Sequence, residues 1–242
     1  MDAPIAAVIA AAGFSRRMGG DKKEYRPLGR GMTDGEGKPL SVLGGSVLAF
    51  ASSPRIDLVV IAVPVDGERG EYAARLSLPA RLLYPAAKPR ILFVPGGVTR
   101  RSSVHHGLSL LDAYGPRLVL IHDGARPWVD GDLIDRIIAA ALEYRAAIPV
   151  MPLTETPKEL GPEGFVVRHL RRSLVGTAQT PQGFAFPEIL RAHEKAAERE
   201  LAEGLEYTDD AEIWGEFCGS VAAIPGSAGN RKITFPEDLG RL

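Results

Sequence analysis

The sequence predicts an α/β fold: a single domain over residues 1–242, built as a Rossmann-like open, mostly parallel sheet flanked by helices and carrying a projecting β-arm. Three observations predict it. Short apolar runs rich in β-branched residues recur along the chain, helical periodicity fills the intervals, and one Pro- and Gly-punctuated stretch breaks the rhythm. A chain of 242 residues buries a substantial core without dividing.

The runs Ala7-Val8-Ile9, Leu58 to Val63, Ile91 to Val94 and Leu118 to Ile121 read as strands buried on both faces, and such strands are expected to run parallel. Leu43, Val47 and Phe50 recur at four- and three-residue steps, as do Val104, Leu108 and Leu111 after Ser102-Ser103. Ile134, Ile137, Ile138, Ala141 and Leu142 form a further apolar helix face, after which Ala147 to Met151 returns to the sheet. Strand, helix, strand in repetition gives an open sheet with crossover helices. Residues Gly29 to Pro39, rich in Gly and charge, are expected to be an exposed loop of no assigned function. Residues 154–176 carry Pro157, Gly161, Pro162 and Gly164 around an alternating Phe165-Val166-Val167, which reads as a two-stranded arm. An isolated hairpin is marginal in water, so a second copy of the chain is its natural support.

Composition limits the partners. Lys+Arg total 29 against Asp+Glu 30, so neither a nucleic-acid nor a membrane footprint is expected. The apolar run from Ile5 to Ala12 is too short to span a bilayer and follows no basic cluster; with no longer run downstream, a soluble, cytoplasmic protein is expected. The single cysteine, Cys218, rules out an intrachain disulfide framework and reads as a small buried apolar residue.

Chemistry-bearing residues cluster where strands end. Ala10-Ala11-Ala12-Gly13-Phe14-Ser15-Arg16-Arg17-Met18-Gly19-Gly20-Asp21-Lys22-Lys23 follows the first strand and reads either as a polyphosphate cradle, in which small residues allow backbone N–H groups close to phosphate and the cations compensate its charge, or as an ordinary glycine-rich turn with solvated arginines. Neither the P-loop nor the dinucleotide fingerprint fits its spacing. Asp123, in Ile121-His122-Asp123-Gly124-Ala125-Arg126-Pro127, leaves the carboxyl end of a central strand, where ligands of open α/β sheets bind, and it is a candidate Mg²⁺ ligand; an Asp there also serves as a turn or helix cap. Pro95-Gly96-Gly97-Val98-Thr99-Arg100-Arg101-Ser102-Ser103 opens a helix, and its hydroxyls either meet a base edge or phosphate or merely cap. Asn230-Arg231-Lys232-Ile233-Thr234 offers a further cation or a solvated strand end.

Taken together, these segments, with Gln179-Thr180-Pro181-Gln182 and Thr208-Asp209-Asp210-Ala211, resemble in order and spacing the 2-C-methyl-D-erythritol 4-phosphate cytidylyltransferase family over nearly the whole chain. The resemblance implies a nucleotidyltransferase that uses CTP and a small phosphorylated polyol, with Mg²⁺ as cofactor. It implies that Arg17, Lys23 and Lys232 neutralise phosphate charge, that Asp123 is the metal ligand, and that Ala11, Ala12, Gly13, Gly97 and Ser103 bind the nucleotide. It further implies a homodimer whose arm presents Thr156 and Arg172 to the acceptor phosphate of the other subunit. Ribitol 5-phosphate cytidylyltransferases are similar, but tend to carry two glycines where this chain has Ala12-Gly13; a non-catalytic nucleotide-binding protein of the same fold is the other alternative, against which Arg17, Lys23 and Asp123 together argue. The chain departs from the family pattern at Gly229, where an acidic residue often precedes the asparagine, at Gly124 and Glu24, and in the length of the Gly29–Pro39 loop.

Overall fold

In the computed structural model, residues 3–13, 22–29, 32–34, 36–65, 68–84 and 86–240 are described. Among the described residues five longer apolar segments and five shorter ones form strands: β1 (Ile5–Ala10), β2 (Leu58–Val63), β3 (Arg90–Pro95), β4 (Leu118–Asp123), β5 (Ala146–Pro152), β6 (Lys158–Leu160), β7 (Val166–His169), β8 (Gly176–Ala178), β9 (Gln182–Ala185) and β10 (Ala222–Pro225). The helices are α1 (Val42–Ala51), α2 (Glu68–Leu76), α3 (Arg100–Asp112), α4 (Gly131–Tyr144), α5 (Glu188–Glu203) and α6 (Asp210–Phe217).

The main sheet runs in the order β10-β5-β9-β4-β1-β2-β3, with β8 added to β5. Strands β4, β1, β2 and β3 are mutually parallel, as their two-sided apolar sequences predict. The chain moves outward from β1 to β3 and then crosses to place β4 on the other side of β1, which creates a switch point between the carboxyl ends of β1 and β4. Asp123, the last residue of β4, stands beside Ala10 there. Four-residue β9 lies antiparallel between β4 and β5. Gly183 admits it, since a Cβ there would lie 2.9 Å from both Ala141 Cβ and Ile137 Cγ2 of α4.

Two cores result, one on each face of the sheet. Leu43, Val47 and Phe50 of α1 and Ile134, Ile137 and Ile138 of α4 pack under Ile9, Ile61 and Leu120. Val104, Leu108 and Leu111 of α3 pack with Ile189 and Trp214 over Val8, Val60 and Ile121. Burying each such side chain contributes about 1.5–3 kcal/mol. Helix starts are fixed locally: Ser41 accepts from the Gly44 N–H and Asp130 from the Leu133 N–H.

Three expectations are corrected. Leu142 is 42% exposed, because α4 turns it past the edge of the apolar stripe that Ile134, Ile137, Ile138 and Ala141 occupy. Cys218 is exposed at the end of α6, with its thiol facing the Glu188 carbonyl rather than the core. The Gly29–Pro39 excursion is not simply exposed: Asp34 is buried, its Oδ1 accepts from the Glu36 and Lys38 N–H groups, and Leu28 and Leu40 anchor both ends in a small cluster with Val42 and Ile233. Strands β6 and β7 pair with each other alone and form the arm.

Candidate active site

The site is built on Asp123. Its position at the end of β4 is held from below: the Asp123 N–H donates to Thr180 Oγ1 at 3.0 Å, and Thr180 Oγ1 lies 3.0 Å from His122 Nδ1. His122 Nε2 faces the Arg126 carbonyl at 3.1 Å. A carbonyl only accepts, so Nε2 carries the proton and Nδ1 accepts from the Thr180 hydroxyl. Burial pushes His122 down to about 4, which keeps the ring in that neutral form. His122 therefore braces the site, as a satisfied structural histidine does.

Cations from three segments converge on the carboxylate. Arg100 Nε is 3.0 Å from Oδ1, while Lys232 Nζ is 2.8 Å and Arg126 Nε 3.7 Å from Oδ2. Burial acts to raise the Asp123 carboxyl, but Arg100, Lys232 and Arg126 overcome it and hold it well below the usual carboxylate range. Lys232 is brought there by pinned neighbours. The fully buried Asn230 donates from Nδ2 to the Thr180 carbonyl at 2.7 Å and accepts at its own carbonyl from Arg126 Nη1 at 2.8 Å. On the other side, the Ile233 N–H donates to the Ala125 carbonyl. Lys23 reaches the same segment, Nζ to the Ile233 carbonyl at 2.9 Å. Gln179 completes the brace, exchanging hydrogen bonds with Ser227.

The small-residue loops meet at the neighbouring strand ends. The Ala11 N–H donates to the Ala62 carbonyl and the Gly124 N–H to the Ala10 carbonyl, so the loop after β1 leaves directly beside Asp123. A Cβ on Gly96 would collide with Ala12 Cβ, which explains why the β3–α3 loop needs glycine there. Ser103 Oγ accepts from the Gly97 N–H at 3.0 Å and donates to the Thr99 carbonyl. The helix cap is neither Ser102 nor Ser103 but Thr99, whose Oγ1 accepts from the Ser102 N–H in a reciprocal capping box.

The structure thus brings Lys23 and Lys232 to the Asp123 corner, sets Ala11, Ala12, Gly13 and Gly97 on the adjoining loops, and places Ser103 in the first turn of α3. Arg17 lies outside the described residues. Thr156 and Arg172 stand apart on the exposed arm, where Arg172 Nη1 donates to the Thr154 carbonyl at 2.7 Å. The sequence reading assigned no role to Arg100, Arg126, Thr180 and Asp210, although each sits in a motif that it singled out. For Arg100, Arg126 and Asp210 the usable signal is a charge placed at the end of a strand or the start of a helix; Thr180 carries no such signal. Asp210 follows the α6 cap Asp209, is fully buried, and meets Arg100 Nη1 at 2.8 Å.

Among the described residues no three His, Cys, Asp or Glu side chains group to hold a metal ion by themselves. One carboxylate at a strand end still fits Mg²⁺, which is commonly bound by one or two carboxylates together with substrate phosphates. No helix among the described residues is long and apolar enough to cross a membrane.

Comparison with known proteins gives one family. The family model described as 2-C-methyl-D-erythritol 4-phosphate cytidylyltransferase, IspD, matches residues 5–241. The bifunctional enzyme IspD/IspF of Rhodospirillum rubrum is 40% identical over 241 residues, covering 99% of this chain and 56% of its own length. The chain thus spans about half the length of the curated relatives it matches. Among solved structures, 2-C-methyl-D-erythritol 4-phosphate cytidylyltransferase from Thermus thermophilus is 29% identical with a TM-score of 0.69, covering 98% of this chain and 95% of its own. The 4-diphosphocytidyl-2C-methyl-D-erythritol synthase from Anaerococcus prevotii is 27% identical with a TM-score of 0.76, covering 98% and 92%.

Proposed function

Because the chain belongs to the 2-C-methyl-D-erythritol 4-phosphate cytidylyltransferase family, we propose that it joins CTP to 2-C-methyl-D-erythritol 4-phosphate, giving 4-diphosphocytidyl-2-C-methyl-D-erythritol and pyrophosphate. The observation that carries this reading is the convergence of Lys232, Arg100 and Arg126 on Asp123 at the switch point of the sheet, with Lys23 held to the neighbouring Ile233 carbonyl. A phosphate oxygen of the acceptor attacks the α-phosphorus in line; the new P–O bond forms as the α–β anhydride bond breaks, and pyrophosphate leaves. Two anions must meet, so charge neutralisation and positioning supply the acceleration. No general base is needed, since the attacking phosphate is ionised near neutral pH.

In this reading Arg17, Lys23 and Lys232 face the triphosphate, and cations fixed before reaction need not reorganise as charge develops. Ala11, Ala12, Gly13, Gly97 and Ser103 receive the nucleotide. Mg²⁺ on Asp123, when bound, neutralises phosphate charge. The acceptor phosphate falls to Thr156 and Arg172 of a second subunit in a homodimer, supported by the exposed apolar side chains Phe165, Val167 and Leu174 of the arm. A cytoplasmic location, with no nucleic-acid or membrane partner, accompanies this reading and is supported by the balanced charge and single cysteine.

The test is pyrophosphate release with CTP and each acceptor in turn. Release with 2-C-methyl-D-erythritol 4-phosphate and not with ribitol 5-phosphate is expected; the reverse preference, or release with neither, overturns the assignment.

A further inference from the structure

Arg100 differs from the other cations on Asp123. Lys232 and Arg126 both address Oδ2, whereas Oδ1 has Arg100 Nε at 3.0 Å. The same guanidinium is held at its other end by a second carboxylate, Asp210 Oδ2, at 2.8 Å from Nη1. Asp210 has no solvent exposure, and its Oδ1 lies 3.2 Å from Nε2 of the equally buried His193. The His193 ring in turn stacks on His105 of α3, 6.4 Å between centroids and 12° between planes. A chain of contacts, buried at His193 and Asp210, therefore runs from the α3–α5 contact to the one carboxylate proposed to bind metal.

A carboxylate removed from water depends on its charge partners, and so does a guanidinium. Arg100 bound to Asp123 alone would release it only by becoming an unpaired, largely buried cation. Bound also to Asp210, it can give up Asp123 and remain paired. We propose that Asp210, oriented by His193, is a positioning residue that lets Arg100 yield Oδ1 of Asp123 to a divalent cation. Arg100 then acts as the cationic occupant of the metal carboxylate before the metal–nucleotide complex arrives, and Asp210 sets how readily it leaves. This rests on the cytidylyltransferase reading, and it assigns a task to the Thr208-Asp209-Asp210-Ala211 segment that the site geometry otherwise leaves without one.

The experiment is calorimetric titration of the full chain with CTP, once in Mg²⁺ and once in excess chelator, for the wild type, Asp210→Asn and the Arg100→Gln/Asp210→Asn double variant. The ratio of the two affinities reports metal coupling, and a general loss of CTP binding cancels from it. Wild type should show a ratio well above one, Asp210→Asn a ratio near one, and the double variant a regained ratio. An unchanged ratio in Asp210→Asn, or a double variant that stays near one, overturns the proposal. Should Asp210→Asn lose its near-UV circular dichroism, Arg100→Gln replaces it: its ratio should exceed that of the wild type, and an equal or lower ratio overturns the idea. Wild-type protein that binds CTP with no Mg²⁺ effect overturns this inference alone, whereas no CTP binding in either buffer rejects the cytidylyltransferase reading.

Discussion

The Asp123 corner and the arm are the two regions to which the proposed reaction assigns work, and they are built in opposite ways. At Asp123 the backbone N–H, the neighbouring histidine, the threonine hydroxyl and the cations are already in contact within one chain. On the arm, Arg172 has the Thr154 carbonyl, and apolar side chains such as Phe165 and Leu174 are more than 70% exposed. A preorganised corner suits a triphosphate whose charge must be met before reaction. An exposed apolar arm, by contrast, calls for a surface from elsewhere to cover it, and the proposed second copy of the chain would supply one at no cost in new sequence.

The sharpest way to break the first half of that comparison is to remove a cation. Lys23→Ala is expected to leave the fold intact and lower turnover by about 10²–10³, the usual cost of losing one preorganised charge donor; Arg17→Ala is expected to do the same. Steady-state pyrophosphate release with circular dichroism checks both, and near-normal turnover removes the residue from the mechanism. The second half is broken by mixing. Arg172→Ala and Lys23→Ala subunits, each nearly inactive, are combined and allowed to exchange. If the arm crosses, each heterodimer holds one site with both defects and one with neither, and activity recovers toward half the wild-type value per heterodimer. No recovery, with heterodimers confirmed by native mass spectrometry, means that the arm serves its own subunit.

A smaller effect separates the regions by pH. Burial lowers both His122 and His105 to about 4, below the ordinary 6.5. Between those values the unfolded chain binds protons that the folded chain refuses, so stability is full above pH 6.5 and is lost as the pH falls toward 4. For the wholly buried His122 the loss is at most about 3 kcal/mol, and for half-exposed His105 it is less. Urea unfolding at pH 7 and pH 5 should show the drop, and His122→Phe should flatten it. An equal drop in the variant means that His122 does not supply it.

Much of this was readable in the sequence because it is local. Strands β1 to β4 and helices α1, α3 and α4 announce themselves through apolar period, and the segments after β1, β3 and β4, at strand ends where topology places ligands, hold most of the residues proposed for the chemistry. What escaped is what depends on distant contacts. Strand β9 is four residues long, begins with a glutamine, and belongs in the sheet because Gly183 fits beneath α4. Arg100 and Asp210 acquire their meaning through Asp123, which lies 23 residues from Arg100 in sequence, and no periodicity records that pairing. The excursion at Gly29–Pro39 looked exposed because its composition is polar, yet the Asp34 side chain satisfies its own turn and so tolerates burial.

A last pair of variants tests whether burial, rather than contact length, distinguishes the two regions. Each holds an Arg–Glu pair at 2.6 Å: Arg101 with Glu200, joining α3 to α5 behind the Asp123 corner, and Arg168 with Glu159, joining the two strands of the arm. The first pair is 10% and 14% exposed, the second 69% and 45%. Glu200 also accepts the Tyr207 N–H, so Glu200→Gln leaves a buried guanidinium without its counter-charge and disturbs a second donor. Breaking a buried pair in this way costs about 3–5 kcal/mol. Glu159→Gln removes a contact that water and salt already replace, and such pairs contribute about 0–1 kcal/mol. Urea unfolding of the two variants at low and at 0.5 M salt, about three times physiological strength, checks this: the Glu200→Gln cost should be large and nearly independent of salt, and the Glu159→Gln cost small and vanishing with it. Equal costs would mean that the arm is covered by another surface in solution, placing its Arg–Glu pair in the same dry setting as the corner.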